Sequence, residues 1–261
     1  MQAPLGTRVA ALTGVRRLGP YVVLSCADPA GPRPQAGQFY MLRAAARWGG
    51  GDAERPFLPR AFSVLRAPQD GDELQFMIED VGPGTRRLCE LSAGDGLSLL
   101  GPLGIGFAAP RGGRRALLAG GGVGIAPLAI WCDQLPGGPP VTALLGFRDA
   151  AHAAGAALVP GAEVATDDGG EGHHGLVTEL LDRELSEDPH VEVYACGPPR
   201  MLEAVRARCA RAGVPAQLAL EAGMACGYGA CFGCVISTRE GYLRLCVDGP
   251  VLDADRLEAV R

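Results

Sequence analysis

The chain has 261 residues, enough for one large domain or two modest ones, each able to bury a core. Hydrophobic residues make up 48% and charged residues 20%, which excludes a disordered chain. A net charge of −5 argues against a nucleic-acid partner, which needs a basic face; all 24 cationic residues are arginine, so a catalytic lysine, a Schiff base and a lysine-bearing phosphate loop are excluded. In chain order, Met1–Pro4 lack the basic and apolar stretches of a secretion signal, and no run reaches the ~20 apolar residues of a membrane span. A cytoplasmic protein with no membrane partner is the expectation, and nine cysteines fit reduced thiols or a metal better than a disulfide framework.

Short strands with Gly, Pro and Asp punctuation are predicted over Tyr21–Cys26, Gln38–Leu42, Ala61–Leu65, Asp72–Ile78 and Leu97–Leu100, with a helix over Thr85–Leu91 and a polar, Gly-rich loop over Arg47–Pro59. This pattern predicts a small antiparallel β-barrel over residues 1–109. Pro110–Gly113 reads as a hinge. Beyond it, apolar strand runs at Arg115–Ala119, Val141–Gly146, Glu163–Ala165, Val191–Ala195 and Gln217–Leu220 alternate with helical stretches, one ending at Leu135 and others over Val177–Leu185 and Pro198–Ala212. That alternation predicts an α/β unit with a parallel sheet over 110–220. Residues 221–261 form a small third unit, so the chain as a whole is α+β and multidomain.

The third unit carries the most specific signal. Cys226, Cys231 and Cys234 follow the C-x4-C-x2-C spacing of plant-type 2Fe–2S ligands, and Cys246 stands apart after a hairpin-like stretch over Ser237–Leu245. Gly227, Gly229 and Gly233 let the loop curl and turn its N–H groups toward sulfur. A four-cysteine zinc site is the alternative, although zinc usually takes two short cysteine pairs. A second signal is Gly120–Gly124 between strand and helix, suited to a pyrophosphate at the helix N-terminus but weak alone, since a tight turn has the same residues. In Arg60-Ala61-Phe62-Ser63, strand alternation places Arg60 and Phe62 on one face and Ser63 on the other. Arg60 suits a pyrophosphate and the Ser63 hydroxyl an isoalloxazine nitrogen, unless this is an ordinary barrel strand. Cys196-Gly197-Pro198 joins a strand to a helix where open sheets place ligands, and Cys196 is equally a small buried thiol. Gly82-Pro83-Gly84-Thr85 offers N–H groups and a hydroxyl to a phosphate. Adjacent His173 and His174 lie in a loop expected to be solvated.

Taken together in this order, these pieces resemble the ferredoxin–NADP reductase superfamily, and with the cysteine unit appended they resemble its family of iron–sulfur electron-transfer subunits of NAD-linked dihydroorotate dehydrogenases. The resemblance spans nearly the whole chain and is most specific over Met224–Cys234 and Cys246–Val251. It implies that Arg60, Phe62, Ser63, Gly82, Gly84 and Thr85 hold FAD, and that Gly121, Gly122, Gly124, Cys196, Gly197 and Pro198 line a site for NAD. It implies a 2Fe–2S cluster on Cys226, Cys231, Cys234 and Cys246. The family usually has proline where Ala61 stands, and its Glu171–His174 loop is shorter. The implied pathway runs from dihydroorotate, oxidised on a separate FMN-containing catalytic subunit, through the cluster and FAD to NAD+, in a heterotetramer of two subunits of each kind. Tyr228 and Phe232 would face that partner or shield the cluster. A related flavin and iron–sulfur subunit of a hydrogenase or of a ferredoxin:NADP oxidoreductase complex is the nearest alternative, and a non-redox zinc protein a more distant one. Arg148 after Val141–Gly146 suits a 2′-phosphate, which Asp149 beside it would repel, while the resemblance favours NAD over NADP.

Overall fold

The computed structural model describes residues 6–49, 57–135 and 141–258. Met1–Pro4 and residues 50–56 of the loop predicted over Arg47–Pro59 therefore lie outside the described residues.

The first six strands are β1 (Arg8–Leu18), β2 (Tyr21–Ala27), β3 (Phe39–Ala44), β4 (Arg60–Ser63), β5 (Glu73–Glu79) and β6 (Gly96–Leu103), with helix α1 (Pro83–Cys89) between the last two. They form one antiparallel sheet in the order β4-β3-β6-β1-β2-β5. The sheet closes on itself where the extension of β4 meets β5: the Leu65 N–H donates to the Gln75 carbonyl at 2.8 Å and the Gln75 N–H to the Arg66 carbonyl at 2.9 Å. Closure leaves no bare edge and buries Tyr21, Tyr40, Leu24, Leu42, Phe76 and Ile78 inside. Inside this unit Arg8 grips Asp28 with two hydrogen bonds of 2.8 and 2.7 Å and reaches the Gly101 carbonyl at 2.8 Å. β1 is the one long strand absent from the sequence prediction. Its outward residues are mostly arginine or small, and only Ala10 and Leu12 are buried, so it carries little apolar alternation.

The second sheet contains β7 (Arg115–Gly121), β8 (Thr142–Phe147), β9 (Glu163–Thr166), β10 (His173–His174), β11 (Val191–Cys196), β12 (Ala216–Ala219) and β15 (Val251–Asp253), in the order β10-β9-β8-β7-β11-β12-β15. All neighbours are parallel except β12 and β15. Strand alternation splits the apolar residues of β7 between two cores. Ala116 and Leu118 face the core shared with the barrel and α2 (Ala126–Gln134); Leu117 and Ala119 face α4 (Val177–Glu187) and α5 (Pro199–Ala212). A single turn, α3 (Ala150–Ala153), follows β8. The segment read as a hinge, Pro110–Gly113, is instead a tied-down 3-10 turn. The Arg111 N–H and guanidinium both bond the buried Glu192 carboxylate at 2.7 to 3.0 Å, and the guanidinium also reaches Asp253. His173 and His174 are not a free loop: they pair with β9, and His173 Nε2 lies 2.7 Å from Glu179 Oε2.

The remaining elements are a hairpin of β13 (Val235–Thr238) and β14 (Gly241–Arg244) and a one-turn helix α6 (Leu245–Asp248) leading into β15. Among the described residues no helix is long and apolar enough to cross a membrane.

Candidate flavin, nicotinamide and iron–sulfur sites

Chain order runs outward from β7 through β8 and β9, then returns to β11 on the other side of β7. Ligands in open α/β sheets lie outside the strand ends at such a reversal. Gly121, Gly124 and Cys196–Pro198 meet there in direct contact. A Cβ on Gly124 would sit 2.5 Å from the Cys196 carbonyl oxygen, and one on Gly121 would sit 3.0 Å from Pro198 Cδ. A Cβ on Gly197 would likewise crowd Met201 Sδ at 2.9 Å. Gly122 adopts a left-handed φ of +54° with open space where a side chain would go.

Across from these strand ends lies β4. Between them is a cleft of about 240 Å³ lined by Phe62 and Ser63 from the barrel, Gly124 and Cys196 from the parallel sheet, and Glu221 and Met224 from the start of the C-terminal unit. The cleft thus gathers four of the predicted flavin and nicotinamide residues. Arg60 and the Gly82–Thr85 turn lie beside each other but outside its lining: a Cβ on Gly84 would sit 2.8 Å from Arg60 Nε, and Arg60 Nη1 donates to the Leu58 carbonyl at 2.7 Å. The Thr85 hydroxyl is committed to its own turn, accepting from the N–H groups of Val81 and Gly82 at 2.9 and 3.0 Å. Gly84 and Thr85 lie in the first turn of α1, where backbone N–H groups have no intrahelical acceptor.

Cys196 is buried and lines the cleft, and burial pushes its thiol well above the ordinary range, which disfavours the thiolate a nucleophile needs. Glu221 escaped the sequence prediction. It follows the strand Ala216–Ala219 by two positions, at a carboxyl end where ligands gather, and that position was the available signal. It stays accessible from the open side of the cleft, while packing of the walls around its carboxyl raises its pKa above the ordinary carboxylate value.

The four cysteines predicted as ligands fall into two pairs. Cys234 Sγ lies 3.2 Å from Cys246 Sγ, both buried. Cys226 Sγ accepts the Cys231 N–H at 3.4 Å and also neighbours the Cys231 thiol. Among the described residues no three His, Cys, Asp or Glu side chains group as ligands of one ion. Two sulfur pairs match a centre with two irons, each taking two thiolates, better than a single tetrahedral zinc. The backbone fits as well. The Gly233 N–H points at Cys231 Sγ and the Cys246 N–H at Cys234 Sγ, both at 3.4 Å. Gly227 and Gly229 hold φ of +81° and +87°, and side chains there would strike Met41 at 2.5 Å and Val247 at 2.7 Å. Burial opposes ionisation of Cys226, but hydrogen bonds from the Tyr228 N–H, from the N–H and thiol of Cys231 and from the Ala230 N–H outweigh it and bring the thiol down to about 6. Burial and the adjacent Cys234 thiol push Cys246 up to about 12. All nine cysteines are outside disulfides. Tyr228 and Phe232 are exposed at the loop, with the Arg244 guanidinium 5.1 Å above the Phe232 ring.

Comparison with known proteins agrees with this geometry. Residues 221–258 match the model of the iron-sulfur cluster binding domain of dihydroorotate dehydrogenase B. The chain is 38% identical over 231 residues to the dihydroorotate dehydrogenase B (NAD(+)) electron transfer subunit of Geobacillus thermodenitrificans, covering 84% of this chain and 85% of that protein. It is 33% identical over 228 residues to the subunit of the same name from Clostridium perfringens, covering 85% and 87%. Its fold superimposes on an NADH-dependent reduced ferredoxin-NADP oxidoreductase with a TM-score of 0.81 at 23% identity, covering 97% of this chain and 91% of that one. With a barrel, a parallel sheet and a cysteine unit in that order, and identity of this extent, the chain belongs to the family of electron transfer subunits of dihydroorotate dehydrogenase B.

Proposed function

We propose that this chain is the FAD- and 2Fe–2S-dependent subunit that carries electrons from an FMN-containing catalytic subunit, where dihydroorotate is oxidised, to NAD+ in pyrimidine synthesis. The working complex contains two chains of each kind and is cytoplasmic. Its units are the FAD barrel of residues 1–109, the NAD unit of 110–220 and the cluster unit of 221–261. One observation carries the reading: a single short segment, Glu221–Cys226, runs from the wall of the cleft to the first cluster ligand. Gly227 just beyond packs on Met41, whose register partner on β4 is Ala61. Cluster loop and cleft therefore lie at either end of one continuous piece of structure.

FAD supplies the junction between single-electron transfer at the cluster and hydride transfer to nicotinamide. The chain's own residues do the rest. Arg60 and the Gly84 and Thr85 N–H groups hold the flavin's phosphates. Phe62 and Ser63, which line the cleft, would hold the ring, the Ser63 hydroxyl offering it a hydrogen-bonding group. Gly121, Gly122 and Gly124 admit the dinucleotide backbone, and Cys196–Pro198 wall the nicotinamide side. Glu221 places a carboxyl that holds its proton more readily than usual at the cleft wall. Cys226, Cys231, Cys234 and Cys246 hold the cluster while nearby N–H groups tune it.

The test is anaerobic purification of the complex, flavin analysis and assay of dihydroorotate-dependent NAD+ reduction. Activity with both FMN and FAD present is expected. Cys231→Ser should abolish that activity while sparing NADH oxidation by an artificial acceptor. A brown preparation with FAD alone, a different companion chain and no response to dihydroorotate would assign the chain to a sister reductase.

A further inference from the structure

A polar cluster at the end of β8 spans the barrel and the parallel sheet. Arg148 and Asp149 follow directly on Phe147, at the strand edge where a dinucleotide lies in such sheets. A guanidinium in that position is suited to a 2′-phosphate. Here it is turned to the barrel: Arg148 Nη2 lies 3.2 Å from Oε1 of Glu79, the last residue of β5. Its Nε lies 3.5 Å from Asp149 Oδ2. His152, buried in α3, joins both carboxylates, with Nδ1 2.6 Å from Asp149 Oδ1 and Nε2 3.2 Å from Glu79 Oε1. Both of its ring nitrogens also meet the Arg148 guanidinium. Packing holds the two sides together. Tyr21 stands edge-on to the His152 ring at 5.7 Å, and a side chain on Gly19 would run into the Ala151 carbonyl. Asp167 lies next in register beyond Phe147–Thr166, its N–H donating to the Phe147 carbonyl at 3.0 Å, and adds a further carboxylate to the same edge.

We infer that Glu79, a barrel residue, determines nucleotide specificity on the neighbouring unit: by engaging Arg148 it withholds that guanidinium from a 2′-phosphate and makes the site prefer NAD to NADP. His152 is a positioning residue that aligns Glu79 and Asp149 on Arg148. The assignment rests on the reading that these strand ends take a pyridine nucleotide, and adds which residue discriminates there.

Its test uses the intact complex with NADH or NADPH as donor and an artificial electron acceptor. The ratio of kcat/KM for NADPH to that for NADH is compared among wild type, Glu79→Ala, Arg148→Ala and the double variant. Glu79→Ala should raise the ratio about fivefold, chiefly through a lower KM for NADPH, the scale expected when one partly exposed charged contact is freed for a phosphate. Adding Arg148→Ala should return the ratio to the wild-type value. Flavin absorbance monitors folding; if Glu79→Ala loses flavin, Glu79→Gln takes its place with a smaller rise expected. An unchanged ratio with flavin retained, or a rise that survives Arg148→Ala, overturns the assignment. Wild-type complex that oxidises neither nucleotide would overturn the underlying reading of the sheet, and the assignment with it.

Discussion

Gly124 and Gly122 illustrate two different demands on the same short turn. A methyl group on Gly124 would meet the Cys196 carbonyl at 2.5 Å, and that backbone has no flexible end to yield. Gly124→Ala should therefore shift the β7 turn against β11, cost about 1–3 kcal/mol in thermal or urea unfolding, and weaken NADH oxidation while FAD stays bound. Gly122 has room for a methyl group but a φ of +54°, so Gly122→Ala should cost only about 1 kcal/mol. Equal losses in the two variants would contradict this division. The glycines, the barrel motif around Arg60 and the cysteine spacing were all legible in the sequence, because each residue type there answers a local need. Glu221 was not, because a lone glutamate after a strand looks like any surface carboxylate until the cleft wall forms around it.

Among the elements, β11 carries more than its strand pairing. Glu192 within it is fully buried and ties three pieces together: the Arg111 turn, β12 through Gln217 Nε2 at 2.9 Å, and, through the shared Arg111, Asp253 of β15. Burial works to raise the Glu192 pKa, but hydrogen bonds from the Arg111 side chain and N–H and from Gln217 prevail and lower it. A carboxyl with its pKa lowered in the folded state stabilises the fold fully above its unfolded value near ~4.3, and loses that contribution as pH falls through the lowered value. Urea midpoints measured from pH 7 downward should thus decline below about pH 4.3, and Glu192→Gln should flatten part of that decline while costing about 1–3 kcal/mol at neutral pH. A decline of the same steepness in the variant would remove Glu192 from the account. Several elements were predictable from apolar runs, β7, β8 and β11 above all, since they are buried on both faces. β1 was not. Its eleven residues become a strand because β2 and β6 flank it, a tertiary cause that leaves little local pattern. The pairing of His173 and His174 beside β9 was hidden for the same reason.

For the molecule as a whole, the barrel and the parallel sheet are joined by several polar ties. Arg66 from the barrel donates to the carbonyls of Ala129 and Leu158 and pairs with Asp133 at 2.7 Å. Gln134 closes a second tie, accepting the Ala36 N–H at 2.8 Å and donating to the Pro34 carbonyl at 3.1 Å. Arg66→Ala would leave two carbonyls without their donor, so a loss of about 1–3 kcal/mol is expected, together with slower NADH oxidation as the two walls of the cleft lose their fixed spacing. Thermal melts and stopped-flow reduction of the flavin would check both; a destabilised variant with an unchanged reduction rate would limit Arg66 to stability. The order of the three units was legible from the sequence, but these ties were not, since they join residues far apart in the chain.

The docking of β15 on β12 has a consequence for how the chain is made. Synthesis delivers residues in order, and domains tend to fold as they emerge. The outer edge of β12 is ready before the cluster loop has been synthesised, yet its covering strand comes only after that loop. Until then the edge is bare, and a bare edge invites pairing with other chains. The stretch between Ala219 and Val251 must fold back before β15 can arrive, so a chain stalled in that stretch would leave the parallel sheet open to pairing with its neighbours.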